Sequence, residues 1–96
     1  MPQVIVTQTA LADIARLREF LNTKDVETAQ EASKAIIQAV QNLRQFPERG
    51  SSADWLGENY RELVIKFGGT GYIVIYRIDD LKVFVLAVRH QKEAGY

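Results

Sequence analysis

The sequence contains no cysteine, which excludes disulfides and thiolate metal sites and gives no sign of a stapled secreted scaffold. It has a single histidine, so any imidazole chemistry must fall on His90. No apolar run approaches the roughly 20 residues that a membrane-spanning helix requires. The start, Met1-Pro2-Gln3-Val4-Ile5-Val6-Thr7, lacks the basic region and long apolar core of a signal peptide. A cytoplasmic protein with no membrane partner is the expectation. Excess charge is missing too: 12 Lys and Arg balance 12 Asp and Glu, which argues against a general nucleic-acid binder. There is no HExxH, no nucleophile elbow and no GxxxxGK phosphate loop. Nothing calls for a metal or another cofactor.

What is present is ordinary for a folded domain: 47% hydrophobic and 25% charged residues, in a length that supports one modest core. Residues 1–96 read as a single domain without repeats. The charge is unevenly spread. Residues 1–58 hold six Lys and Arg against eight Asp and Glu, and residues 59–96 hold six against four. That weak dipole is compatible with one basic face, although a mixed solvated surface explains it as well.

Val4, Ile5 and Val6 are β-branched and predict a short first strand. Thr9 is the expected cap of a helix carrying Leu11, Ile14, Leu17 and Leu21. A second helix follows Asn22-Thr23-Lys24-Asp25, with Ala29, Ala32, Ile36, Ala39, Val40, Leu43 and Phe46 on one stripe. The link is short, so the helices should form an antiparallel hairpin. Pro47 and Gly50 stop the second helix. Gly50 to Asp54 reads as a loop, with Trp55-Leu56 expected to plug the underside of the sheet. Three strands follow: Arg61–Phe67, Gly71–Ile78 and Val83–Val88, turning at Gly68-Gly69-Thr70-Gly71 and Asp79-Asp80. The fold class is therefore α+β, in the order β-α-α-β-β-β. The helical hairpin covers one face of a mainly antiparallel four-stranded sheet, with Ile36, Val40 and Leu43 opposite Ile75 and Val85.

Chemistry, if any, belongs to the polar end of the chain. His90 follows Arg89 beyond the last apolar strand residue and suits acid–base work near neutrality, or else is a surface histidine bonded to a loop. Tyr96 suits stacking on a base or packing on the sheet edge. Arg61, Lys66, Arg77, Arg89 and Lys92 all come from the sheet half and, with His90, are candidates for contact with a target or a nucleic acid. Alternation puts Arg61 with Leu63, Ile65 and Phe67 on one face of their strand, and Lys66 with Glu62 and Val64 on the other. Taken individually, each is as readily a solvated or paired charge.

Several marks recur in order: Ala10-x-x-Asp13-Ile14, Phe46-Pro47-x-x-Gly50, Arg61-Glu62-Leu63, Gly71-Tyr72, Tyr76-Arg77-Ile78 and Val88-Arg89-His90. With these the chain resembles, over nearly its whole length, the RelE/ParE superfamily of toxins from bacterial type II toxin–antitoxin systems. The resemblance implies a cognate antitoxin as partner and leaves room for a homodimer. RelE-like members cleave mRNA on the ribosome with basic residues plus a tyrosine or histidine, which here would be Arg89, His90 and Tyr96. ParE-like members poison DNA gyrase and are not known as nucleases. RelE-like enzymes often carry Arg directly after the Gly-Tyr of this strand, where this chain has Ile73. An apolar side chain there removes one cation from a metal-free phosphodiester site, so the resemblance leans to the ParE branch. An inactive remnant that only sequesters antitoxin is the third reading. The antitoxin is expected to lay an amphipathic helix on the helical hairpin and to add a strand at an open sheet edge.

Overall fold

The computed structural model describes residues 2–93. Strand β1 (Gln3–Val6) leads into helix α1 (Gln8–Asn22), and helix α2 (Val26–Asn42) returns antiparallel to it. The cap of α1 is Thr7, two residues before the expected Thr9. Its Oγ1 accepts from the Ala10 N–H at 3.2 Å and donates to the Val85 carbonyl at 2.8 Å, so one side chain starts the helix and ties it to the last strand. Asp25 caps α2 by accepting from the Glu27 N–H. Ala10, Ala29 and Ala32 are fully or almost fully buried, and their small side chains let the helices approach closely. The second helix ends at Asn42, which leaves Phe46 beyond it and 56% exposed rather than on the buried stripe.

Strands β3 (Tyr60–Phe67), β4 (Thr70–Asp79) and β5 (Lys82–His90) form the expected antiparallel meander. β1 lies beside β5 and parallel to it, pairing Val4 with Val83 and Val6 with Val85. Among the described residues the sheet has five strands and not four. Ser51–Ser52, expected within a loop, form a short strand β2 that pairs with Arg61 and Glu62, in the order β1-β5-β4-β3-β2. Two serines carry no apolar alternation and therefore no strand signal. A bulge in β5 leaves Leu86 unopposed between the pairs Tyr76–Val85 and Ile75–Ala87.

The core lies between the helices and one sheet face. Leu17, Ile36, Val40 and Leu43 meet Ile65, Tyr72, Val74, Tyr76, Val83, Val85 and Val88 there. Ile75 does not face Ile36 as expected. It is buried, but alternation with Val74 and Tyr76 turns it to the opposite face. That outer face carries Val64, Ile73, Ile75, Phe84 and Ala87, with Lys66, Arg77 and Arg89 toward its margins. Trp55 is 61% exposed and Leu56 is exposed as well, so they do not plug the sheet. Leu11 is also exposed, its expected core place taken by Ala10 and Asp13.

Candidate functional site

β1 accompanies β5 only as far as Val85, where the Thr7 N–H closes the pairing. Beyond that point the β5 edge would present unpaired donors. Two carboxylates take them. Asp13, on the buried side of α1, accepts from the Val88 N–H at 3.0 Å through Oδ2 and from Arg89 Nη1 at 3.0 Å through Oδ1. Glu93 accepts from the His90 N–H at 3.3 Å. Arg16 joins the two acids, 3.7 Å from Asp13 and held in a fork by both Glu93 oxygens. The hydrogen bond from Arg16, opposed by partial burial, holds the Glu93 carboxyl below its ordinary range. Arg89, Asp13, Arg16 and Glu93 thus form one alternating chain of charge that fastens α1 to the end of β5. Among the described residues, the buried Arg89 Nε has no hydrogen-bond partner.

His90 ends β5 opposite Tyr72. Its Nδ1 accepts from the Lys92 N–H at 3.1 Å, so the proton of a neutral ring lies on Nε2, which is 2.9 Å from the Thr70 hydroxyl. The ring stands edge-on to Tyr72, with centroids 5.3 Å apart. Burial, with the nearby Glu93 charge, pushes the Tyr72 phenol above its usual range, so it stays protonated at neutral pH. Leu17, Phe20, Leu21 and Tyr72 wall a groove of about 670 Å³ whose rim carries Arg16, His90, Lys92 and Glu93. This cluster is the candidate site.

The remaining sequence candidates are dispersed. Arg61 turns to the helix side and donates to the Gly50 carbonyl at 2.5 Å and the Glu48 carbonyl at 3.3 Å, bracing the turn after α2. Tyr76 completes that brace: its hydroxyl accepts from the Gly50 N–H at 2.9 Å and donates to the Pro47 carbonyl at 2.8 Å. A Cβ on Gly50 would lie 2.6 Å from the Glu62 carbonyl, which explains Phe46-Pro47-x-x-Gly50 as a packing motif. Arg77 pairs with Asp79 at 3.5 Å, far along the outer face from Arg89. Lys66 is exposed at the β3 margin. Among the described candidates, only Arg89, His90 and Lys92 come together. Tyr96 lies outside the described residues. Among those residues no group of three or more His, Asp or Glu is placed to hold a metal ion.

Sequence reading missed Asp13, Arg16, Thr70, Tyr72 and Glu93 as members of this cluster. Asp13 alone left a signal, as an acid set among the apolar positions Ala10, Ile14 and Leu17. The others are brought in by strand register and by the return of the chain across α1.

Two helices on one face of a mixed sheet, with a charged clasp at the end of β5, define a two-layer α+β domain, and comparison with known proteins gives the family. Residues 4–95 match the family described as ParE toxin of type II toxin-antitoxin system, parDE, and the chain belongs to it. Toxin RelE3 of Caulobacter vibrioides is 29% identical over 97% of this chain and 98% of its own length. Toxin RelE2 of the same organism is 31% identical over 94% of this chain and 96% of its own. Among solved structures, the RelBE2 toxin–antitoxin complex of Mycobacterium tuberculosis contains a chain similar at 26% identity and a TM-score of 0.62, covering 95% of this chain and 100% of that one. The chromosomal ParDE system from P. aeruginosa gives a TM-score of 0.78 over 94% of this chain and 96% of that one. Its 19% identity speaks for the fold.

Proposed function

We propose that this chain arrests growth in the cytoplasm by binding and poisoning DNA gyrase, and that a cognate antitoxin neutralises it. The supporting observation is that the groups a nuclease would use are engaged within the chain. Arg89 is spent on Asp13, and both His90 ring nitrogens have partners in Thr70 and the Lys92 amide. A metal-free phosphodiester site needs several cations aimed at one phosphate, with a free acid or base beside them. The outer sheet face agrees, because Ile73 and Ile75 occupy its centre and the cations stand apart. An apolar face with a charged margin suits a protein surface better than a polyanion.

Ribosome-dependent mRNA cleavage is the second reading. His90, Lys92 and Tyr72 share one groove, and the curated relatives carry RelE names. The two readings separate on His90→Gln, which keeps hydrogen bonding but removes the imidazole as an acid or base. For a gyrase poison, the variant still blocks supercoiling by purified gyrase and still arrests growth. For a nuclease, it slows mRNA cleavage on translating ribosomes by roughly 10²–10⁴-fold. Wild-type protein that cuts ribosome-bound mRNA and leaves gyrase unimpaired overturns the gyrase reading. Induced expression that arrests nothing leaves an inactive antitoxin-binding remnant.

A further inference from the structure

The groove beside α1 has an apolar floor and a cationic rim, and its anion comes from the chain itself. Glu93 reaches back from beyond β5 and places both carboxylate oxygens on Arg16, at 2.5 and 3.4 Å. The pair is solvent-accessible, with the Arg16 side chain 46% exposed and that of Glu93 29% exposed. An ion pair of that exposure is weak, so exchanging its acid for another costs little. Asp13 also stands 3.7 Å from Nη2, a second anion beside the Arg16 guanidinium. Phe20, 61% exposed with the Lys24 ammonium 5.5 Å from its ring centroid, extends the apolar wall outward.

We propose that Glu93 is an internal placeholder for a carboxylate of the antitoxin. An amphipathic antitoxin segment lays apolar side chains on Leu17, Phe20, Leu21 and Tyr72. An Asp or Glu of that segment then displaces Glu93 and takes the Arg16 fork, with Lys92 on the same rim. This rests on the reading that an antitoxin binds the chain, and adds which acid it displaces and from which cation. The occupant follows from charge complementarity: the rim holds Arg16 and Lys92, and the fork geometry of guanidinium with carboxylate is already formed there. Once bound, the antitoxin leaves Glu93 free of α1 and changes the end of β5, where His90 lies.

The test measures affinity for the antitoxin co-expressed with this toxin, by titration calorimetry on purified components. Glu93→Gln removes the competing acid and is expected to tighten binding about threefold, the scale of one exposed ion pair. Arg16→Gln is expected to weaken it by a similar factor, and Arg16→Lys to recover only part, because an ammonium has no fork. In the Arg16→Gln background, Glu93→Gln should change nothing. A merely structural role for Glu93 predicts the reverse sign, since loosening the tail would weaken binding. Wild-type binding left unchanged or weakened by Glu93→Gln overturns the placeholder and leaves the antitoxin reading standing. No binding by wild-type toxin overturns both. Circular dichroism of each variant checks the fold.

Discussion

Asp13 and Arg89, at opposite ends of the sequence, are joined by a 3.0 Å hydrogen-bonded ion pair that closes the sheet edge where β1 stops. The other Asp13 oxygen accepts from the backbone of Val88, so the carboxylate acts as a one-residue extension of β1. Asp13→Ala removes both acceptors, orphans a buried N–H and leaves a mostly buried guanidinium uncompensated. The expected loss is about 3 kcal/mol in urea unfolding. Asp13→Asn should cost less, because its amide oxygen still accepts from Val88. A double-mutant cycle with Arg89→Ala should give a coupling of about 1 kcal/mol or more. A coupling near zero would show that the pair does not hold the edge.

The turn after α2 depends on a missing side chain. A Cβ on Gly50 would lie 2.6 Å from the Glu62 carbonyl and 2.8 Å from the Tyr76 hydroxyl, and neither the strand backbone nor the buried ring gives way easily. Gly50→Ala is therefore expected to destabilise by about 1–3 kcal/mol, as overpacking does. Tyr76→Phe removes the hydroxyl that bonds Gly50 and Pro47, and should cost about 1–2 kcal/mol. Thermal unfolding of the two single variants and the pair checks both. A neutral Gly50→Ala refutes the packing account.

Ile36 is 2% exposed and lies in the core cluster between α2 and the sheet. Truncation to Ala should cost roughly 2–5 kcal/mol. Ile37, its neighbour, is 47% exposed, and the same truncation there should stay within about 0.5 kcal/mol. Similar values at the two positions would mean that the helix is rotated.

Acid should unfasten the end of β5 before it unfolds the sheet. Hydrogen bonding from Arg16 holds the Glu93 carboxyl below its ordinary value of 4.5. A group depressed in the folded state contributes stability that is fully present above its unfolded value and lost as pH falls through the folded one. The contribution is thus complete at pH 6 and drains away below about 4.5. Unfolding midpoints measured from pH 6 to pH 3 should fall less steeply in Glu93→Gln than in wild type. Parallel curves would exclude the Arg16–Glu93 pair as a source of acid sensitivity.

Much of the architecture was legible because periodicity records burial. Ala29, Ala32, Ile36, Val40 and Leu43 recur at helical spacing and all are buried, and the apolar strands around two turn signals lie where the meander is. The failures share a cause. Ser51–Ser52 became a strand by pairing with Arg61 and Glu62, a relation between distant segments that two serines cannot announce. Apolar character alone points Trp55 and Leu56 inward, and that rule works in one direction only. The basic candidates could be named but not located. The bond from Arg61 to the Gly50 carbonyl and the pair between Arg89 and Asp13 come from tertiary contacts, and single-strand alternation reports only the face of departure.

The parallel pairing of β1 with β5 also sets an order of events. Val4 and Val6 find Val83 and Val85 almost a full chain length later, so a nascent polypeptide leaving the ribosome cannot finish its sheet until the last strand has emerged. Contacts of such long sequence separation slow folding, because loop closure must be paid for before they form. Until then the helical hairpin has only β3 and β4 to cover its apolar stripe, and the Asp13 clasp has no strand to seize. The surface at the end of β5 is therefore completed only when β1, α1 and β5 are all in place.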